Sequence, residues 1–338
     1  MPINSTAYYL TKPYTFQKKR EIIKEVPEDY TILKTVKTSI CASDLHYYKG
    51  LKSEEKLRER LPLVLLHEGV CEDMRTGMKV IPVAGLLSDV PVEYKGKENL
   101  FPDLKYMGAT MHGMARSHFL FPQELVIPLS PSIPLNSAAI AEPLSIVIKI
   151  IREMNIKYHN LIAVIGDGGM AYLLSLFLNH YMNIHKSQLT IYGIHSQKLE
   201  KMSEFGNTVN TRESDEIHPA DIIFEIVGGK NIQATLDLAM KISKPGSILG
   251  MVGISDAFPG INVNKLVNQG ITIKGLTRST FQDFEKVADI LKNEEISDKI
   301  INFIDPNEFS IQSEKDLKEA FEYASVSKKY GRIILNWE

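Results

Sequence analysis

Two short segments between Cys41 and Gly69, Cys41-Ala-Ser-Asp44-Leu-His46 and His67-Glu68-Gly69, together carry one thiol, two imidazoles and two carboxylates. Thiolate, imidazole and carboxylate are the ligand types of zinc, and a catalytic zinc keeps one position open for substrate or water. A second signature, Gly166-Asp-Gly168-Gly169-Met170-Ala171, matches G-x-G-x-x-G/A with alanine last. Its first glycine permits a tight turn, and its second lets a pyrophosphate approach the backbone. A helix starting there offers unpaired N–H groups to the phosphates. The motif takes its meaning from context, since it must follow a buried strand and open a helix.

The flanking sequence supplies that context. Residues 31–40 alternate as a half-buried strand does and deliver Cys41 at its end. Residues 43–48 read as a short helix or turn closed at Gly50, and 52–60 as a charged helix stopped by Pro62. An apolar run, 63–66, ends at His67. Residues 71–83 suggest strands around a Thr76-Gly77 turn, 88–108 an ordered polar loop, and 117–121 a strand. Residues 137–154 are apolar at helical spacing with Glu142-Pro143 inside, which predicts a break or kink at the proline and a buried carboxylate presented there. From Asn160 strands and helices alternate, the pattern of a parallel sheet with crossover helices. Helices at 281–293 and 315–325 and a strand at 332–336 follow, and the chain is expected to return to its first domain.

The end of the second strand in this half bears on cofactor choice. An NAD site puts Asp or Glu there to bond the ribose hydroxyls. Here the strand ends Tyr192-Gly193-Ile194-His195-Ser196-Gln197-Lys198, with no carboxylate before Glu200. A carboxylate would repel a 2′-phosphate, whereas glycine, serine and basic groups accept one. NADP(H) is therefore expected, with His195, Ser196 and Lys198 near the phosphate.

At 338 residues the chain exceeds what one compact core usually holds, so two domains are expected. A net charge of −2 gives no electrostatic reason for a nucleic-acid or membrane partner. The apolar runs are strand-sized, and polar residues interrupt the N-terminus where a signal-peptide core would lie. Two cysteines, Cys41 and Cys71, make no disulfide framework; a cytoplasmic location is expected.

The motifs in this order resemble the zinc-containing medium-chain alcohol and polyol dehydrogenases over nearly the whole chain. The resemblance implies an α/β protein: a GroES-like mostly-β catalytic domain at 1–145, an NADP-binding Rossmann domain at 146–280, and a return to the catalytic domain at 281–338. It implies one catalytic zinc, with Cys41, His67, Glu68 and Glu142 as metal residues and Glu68 able to exchange with water or substrate. Asp44 would orient His67, since carboxylate–histidine pairs fix the tautomer and raise basicity. Ser43 and His46 match a proton relay, and with Glu68 they are the candidate catalytic residues. Cofactor contacts would come from Gly166, Gly168, Gly169, Met170, His195, Ser196, Lys198, Val227, Gly253 and Arg278. Many members hold a second, structural zinc with four cysteines. Residues 88–108, where that lobe would lie, contain none, so this metal is expected to be absent. Cys71 is expected to be a buried thiol.

Within the family, several stretches are most similar to bacterial ribitol-5-phosphate dehydrogenases, also called ribulose-5-phosphate reductases. They are Ser39-Ile-Cys41-Ala-Ser-Asp44, Tyr47-Tyr48-x-Gly50, Leu66-His67-Glu68-Gly69-Val70, Gly166-Asp-Gly168, Phe224-Glu225-x-Val227-Gly228-Gly229, and Gly331-Arg332 to Trp337. This implies zinc-dependent reduction of D-ribulose 5-phosphate by NADPH, supplying CDP-ribitol for teichoic acid or capsule synthesis. It also implies a homo-oligomer paired functionally with a ribitol-5-phosphate cytidylyltransferase. A sugar phosphate needs a cationic grip; Lys49 and Lys52 are the candidates, with Arg278, Arg116 and His112 behind them. Two readings stay open beside this one. One is another zinc-dependent polyol or sugar-phosphate dehydrogenase. The other is a non-catalytic dinucleotide-binding Rossmann protein, which would have no need of Cys41, His67, Glu68 and Glu142.

Overall fold

A computed structural model describes residues 2–86, 91–327 and 331–337. The chain opens with strands β1 (Ile3–Lys12), β2 (Thr15–Ile23) and β3 (Tyr30–Ser39) and helices α1 (Ala42–Tyr48) and α2 (Glu54–Arg60). Strands β4 (Leu63–Val64), β5 (Glu68–Asp73), β6 (Lys79–Pro82), β7 (Gly85–Leu86), β8 (Lys105–Tyr106), β9 (His118–Pro122) and β10 (Val126–Pro128) follow, then helices α3 (Leu135–Ala138) and α4 (Ala141–Glu153). The alternating part comprises β11 (Ile162–Ile165), α5 (Gly169–Leu176), β12 (Leu189–Gly193), α6 (Ser196–Met202), β13 (Asn207–Asn210), β14 (Ala220–Glu225), α7 (Ile232–Ile242), β15 (Ser243–Met251), α8 (Val263–Asn268) and β16 (Thr272–Gly275). The chain closes with α9 (Phe281–Ile290), α10 (Glu294–Ile301), β17 (Phe309–Ile311), α11 (Glu314–Val326) and β18 (Ile334–Trp337). Two compact units result, Met1–Ser145 with Ser279–Glu338, and Ile146–Arg278.

In the first unit β3 is the central strand, antiparallel to β5, β9 and β18. Its last residue, Ser39, pairs with Glu68 on one side and Ile334 on the other. That register gathers Cys41, Glu68 and the C-terminal strand at one end of the sheet. An aromatic stack anchors α1 beside them: the Tyr48 ring lies 5.6 Å from Phe16 and 5.1 Å from Phe321. Burying each such ring contributes about 1.5–3 kcal/mol.

The break expected at Pro143 lies upstream. Helix α3 ends before Ala139 and α4 starts at Ala141, so Pro143 falls in a first turn. A proline costs nothing there, because its missing N–H would have had no helical partner. The same placement sets the Glu142 carboxylate at a helix N-terminus, where the dipole favours it. The polar loop expected from Ser88 contains two 3-10 turns, Val92–Tyr94 and Glu98–Leu100, together with β8; Ser88 lies outside the described residues.

The second unit is a parallel six-stranded sheet in the order β13-β12-β11-β14-β15-β16. This is the doubly wound order, whose ligand crevice lies at the carboxyl ends of the strands where the order reverses, between β11 and β14. A cleft of about 670 Å³ opens there, lined by Gly166, Asp167, His195, Arg212 and Val227 among others. Among the described residues, no helix is long and apolar enough to cross a membrane.

Candidate active site

Cys41 is the extended residue that caps α1, and its N–H donates to Asp44 Oδ2 at 3.0 Å. The other oxygen of Asp44 accepts from the Leu66 N–H at 3.1 Å and lies 3.5 Å from His67 Nδ1. One buried carboxylate thus fixes both ligand-bearing segments. Leu66, fully buried, takes a left-handed φ of +73°, which a branched side chain rarely adopts. Asp44 on its N–H and the Met114 N–H on its carbonyl, at 2.8 Å, hold it there, next to His67.

The Sγ of Cys41, a ring nitrogen of His67 and a carboxylate oxygen of Glu68 lie within 4.8 Å of one another. Glu68 is fully buried. It accepts from Arg332 twice, Nε to Oε2 at 2.9 Å and Nη2 to Oε1 at 3.0 Å, and once from the Ser39 hydroxyl. The same guanidinium reaches Cys41 Sγ at 3.8 Å. Burial works against the Arg332 charge, but Glu68 and Cys41 outweigh it and hold its pKa above the ordinary value. Burial also works against a protonated His67, and here Asp44 and Cys41 prevail and raise it well above the imidazole range.

Glu142 stands beside this trio, buried, with Oε1 accepting from the Tyr106 hydroxyl. Burial pushes its pKa up and Glu68 adds to the push, while His67, Tyr106 and Arg332 oppose. Tyr106 is itself pushed well up by burial and then by Glu142. Its ring tilts over His67 at 5.8 Å. A cysteine sulfur, an imidazole and carboxylates gathered in one buried place form a donor set that fits zinc.

Around this centre, Ser43 is half-buried on α1 and His46 is exposed toward its end. Burial and the Lys52 and Lys49 charges lower the His46 pKa. Lys49 donates to the Ser325 carbonyl at 3.0 Å, and the Lys52 ammonium sits 5.3 Å from the Tyr47 ring centroid. Arg116 and His112 are engaged elsewhere: Arg116 lies over Phe119 and donates to the His112 carbonyl at 3.3 Å, while the His112 ring accepts from the Val64 N–H. Cys71 is fully buried, and burial pushes its thiol far up.

In the second unit the Gly166 turn joins β11 to α5, with φ at +139°. A β-carbon there would come within 3.3 Å of Val227, so the glycine keeps the turn open. Gly168 caps α5, and Gly169 and Met170 form its first turn. The Gly253 N–H donates to the Glu225 carbonyl at 3.1 Å, placing Gly253 next to the end of β14. Arg278 follows β16, exposed, with a left-handed φ of 47°.

The end of β12 differs from the sequence-based expectation of no carboxylate. Asp167 reaches it from the glycine turn, and its Oδ2 accepts from the Ile194 N–H at 2.8 Å, the His195 N–H at 2.8 Å and His195 Nδ1 at 2.9 Å. Gly193 makes this possible, since a β-carbon there would sit 2.7 Å from that of Asp167. Ser196 donates to Glu213 at 3.0 Å and accepts from Asn210 at 2.7 Å. Lys198 is half-buried on α6. Arg212, whose N–H donates to Asn210 Oδ1 at 3.1 Å, lines the cleft with His195. Sequence reasoning had not singled out Asp167, Arg212, Tyr106 or Arg332 for these places. For Arg332, its neighbours in the C-terminal Gly331 to Trp337 stretch were the one available signal.

Fold and site together define a dinucleotide-type α/β unit joined to a mostly-β unit that carries a zinc-type donor set. No protein-family model matches the chain. It is 26% identical to ribulose-5-phosphate reductase 1 of Staphylococcus aureus, over 98% of each chain. It is 22% identical to sorbitol dehydrogenase 1 of Saccharomyces cerevisiae, over 80% of this chain and 82% of that one. The crystal structure of S. aureus TarJ in complex with NADPH superimposes with a TM-score of 0.84 at 26% identity, covering 99% of this chain and 100% of that one. The chain is similar to these polyol dehydrogenases and reductases, and it is an enzyme of the alcohol dehydrogenase type.

Proposed function

We propose that this chain reduces D-ribulose 5-phosphate to D-ribitol 5-phosphate with NADPH at a single zinc. The observation that carries the reading is the Cys41, His67 and Glu68 cluster, in a chain that matches ribulose-5-phosphate reductases end to end.

Cys41 and His67, with Glu142 and an exchangeable Glu68, would hold a zinc, which would supply Lewis-acid polarisation of a carbonyl while a bound nicotinamide would supply hydride. The protein's own part is positioning and charge. Asp44 sets the His67 ring and the Leu66 turn. Arg332 takes up the Glu68 charge, and Tyr106 steadies Glu142. Ser43 donates toward the substrate oxygen, and His46, exposed to water, replaces the proton. Lys52 is the better placed of the two α1-flank lysines to take the phosphate, because Lys49 is committed to the Ser325 carbonyl. In this reading the enzyme is cytoplasmic and a homo-oligomer. Its product feeds a cytidylyltransferase that makes CDP-ribitol for teichoic acid or capsule polymers.

The test is NADPH oxidation against D-ribulose 5-phosphate, xylulose 5-phosphate, fructose 6-phosphate and unphosphorylated ketoses. Turnover of ribulose 5-phosphate well above the rest is the expected result. Preference for an unphosphorylated ketose would assign the chain to a different polyol substrate.

A further inference from the structure

The stretch Phe224-Glu225-x-Val227-Gly228-Gly229 carries a carboxyl that the mechanism above does not use. Glu225 is the last residue of β14 and is fully buried. Its Oε1 accepts three hydrogen bonds: from the Val227 N–H at 3.0 Å, the Gly228 N–H at 3.0 Å and the Thr235 hydroxyl of α7 at 2.9 Å. Its backbone carbonyl accepts from the Val252 N–H at 2.8 Å and the Gly253 N–H at 3.1 Å, just past β15. One residue thus ties the turn after β14, the turn after β15 and helix α7 together. The Gly229 N–H, donating to the Ile254 carbonyl at 2.8 Å, joins the two turns directly.

The turn so held is one that only glycine makes: Gly228 has φ 59° and ψ −153°, and Gly229 follows with φ 58°. A β-carbon on Gly253 would sit 2.3 Å from the Gly228 nitrogen and 2.6 Å from Glu225 Oε2, so a bare glycine lets the two turns meet over the carboxyl. Val227, inside this clamp, is exposed and lines the cleft, and its Cγ2 would meet a β-carbon on Gly166 at 3.3 Å. Thr235 lines the same wall. Oε2 is buried and has no hydrogen-bond partner among the described residues. A bare buried polar atom costs stability, which points to a use other than stability.

We propose that Glu225 is a positioning residue for the dinucleotide: through Val227, Gly228 and Thr235 it holds the wall of the cleft in its binding shape before the cofactor arrives. The proposal rests on the NADPH reading above. Two successive glycines at positive φ have many other conformations open to them. With the clamp in place they are already ordered, and binding is spared that cost.

Direct titration of the full chain with NADPH, read by fluorescence without turnover, tests this beside amide exchange of the cofactor-free protein. Glu225→Ala raises the Kd about tenfold, and Glu225→Asp, one methylene short of the turn, does the same. Glu225→Gln keeps an acceptor oxygen at the same reach and binds within about threefold of wild type. The Val227 and Gly228 amides exchange faster in the Ala and Asp variants, and saturating NADPH slows them again; in Glu225→Gln they stay slow. If the Ala variant does not fold, Asp against Gln carries the same comparison. If Asp or Ala melts lower than wild type yet binds NADPH as tightly, or if Gln binds as weakly as Asp, the proposal is wrong while the NADPH reading stands. If wild type does not bind NADPH, that reading itself falls.

Discussion

Arg332 grips Glu68 through two parallel hydrogen bonds, 2.9 and 3.0 Å, although the two are 264 positions apart in the chain. The fork geometry matches a carboxylate as no other side chain can. It leaves Glu68 neutralised yet next to Cys41 and His67. Removing the guanidinium strands a fully buried carboxylate, which costs about 3–5 kcal/mol. Arg332→Ala is expected to lose that much in denaturant unfolding of the metal-free protein, and added zinc is expected to return part of it by giving Glu68 a new cationic partner. Arg332→Lys should fall between. Equal losses with and without zinc would mean that Glu68 has no access to the metal.

Tyr106 connects a residue that sequence analysis found, Glu142, to one that it did not. Tyr106→Phe removes the hydroxyl that donates to the buried Glu142 carboxylate. The expected effect is a 10–100-fold weaker zinc affinity, on the order typical for loss of a ligand's hydrogen-bond partner, with unfolding free energy reduced by about 1–3 kcal/mol. Competition with a chelator of known affinity measures the first quantity directly. Unchanged zinc affinity would remove Glu142 from the metal site.

Much of this site could be read from local spacing, because Cys41, Asp44, His67 and Glu68 all lie on or beside one hairpin-like stretch whose motifs are contiguous. The residues not read came from elsewhere for a physical reason. Arg332 arrives through the pairing of β18 with β3, and Tyr106 on a two-residue strand; no periodicity marks either. The parallel sheet was legible because its buried strands are continuous apolar runs. The helix around Glu142 was legible in extent but not in its break, since a proline in a first turn and a proline at a kink share one composition. Asp167 was hidden differently: it belonged to the glycine motif in sequence and to the end of β12 in space.

Glu153 offers a pH test within the second unit. Lys149 at 2.7 Å and Lys274 bond its two oxygens. The two hydrogen bonds outweigh burial and hold its pKa down at about 2. A depressed carboxylate stabilises the fold above its unfolded value, about 4.3, and that contribution is lost as pH falls toward about 2. Solvent around the pair limits it to about 1–2 kcal/mol. Glu153→Gln is expected to be destabilised by that amount at pH 7 and to converge with wild type near pH 2. A constant difference across that range would show that packing, not charge, is responsible.

Lys52→Ala is expected to raise KM for ribulose 5-phosphate about tenfold, as loss of one charge-assisted contact to a phosphate would, while leaving KM for NADPH unchanged. Lys49→Ala should instead loosen α11 through loss of its bond to Ser325, lowering the melting temperature more than it raises KM. A parallel rise in both KM values for Lys52→Ala would show that this lysine does not read the sugar phosphate.

The most direct test of the account is the rate of NADPH oxidation with D-ribulose 5-phosphate as zinc is removed and returned. Activity should vanish on chelation and return in full as about one zinc per chain is restored, one open site being all the donor set provides. Undiminished turnover by the metal-free protein would contradict the assignment of Cys41, His67, Glu68 and Glu142 as a catalytic metal site.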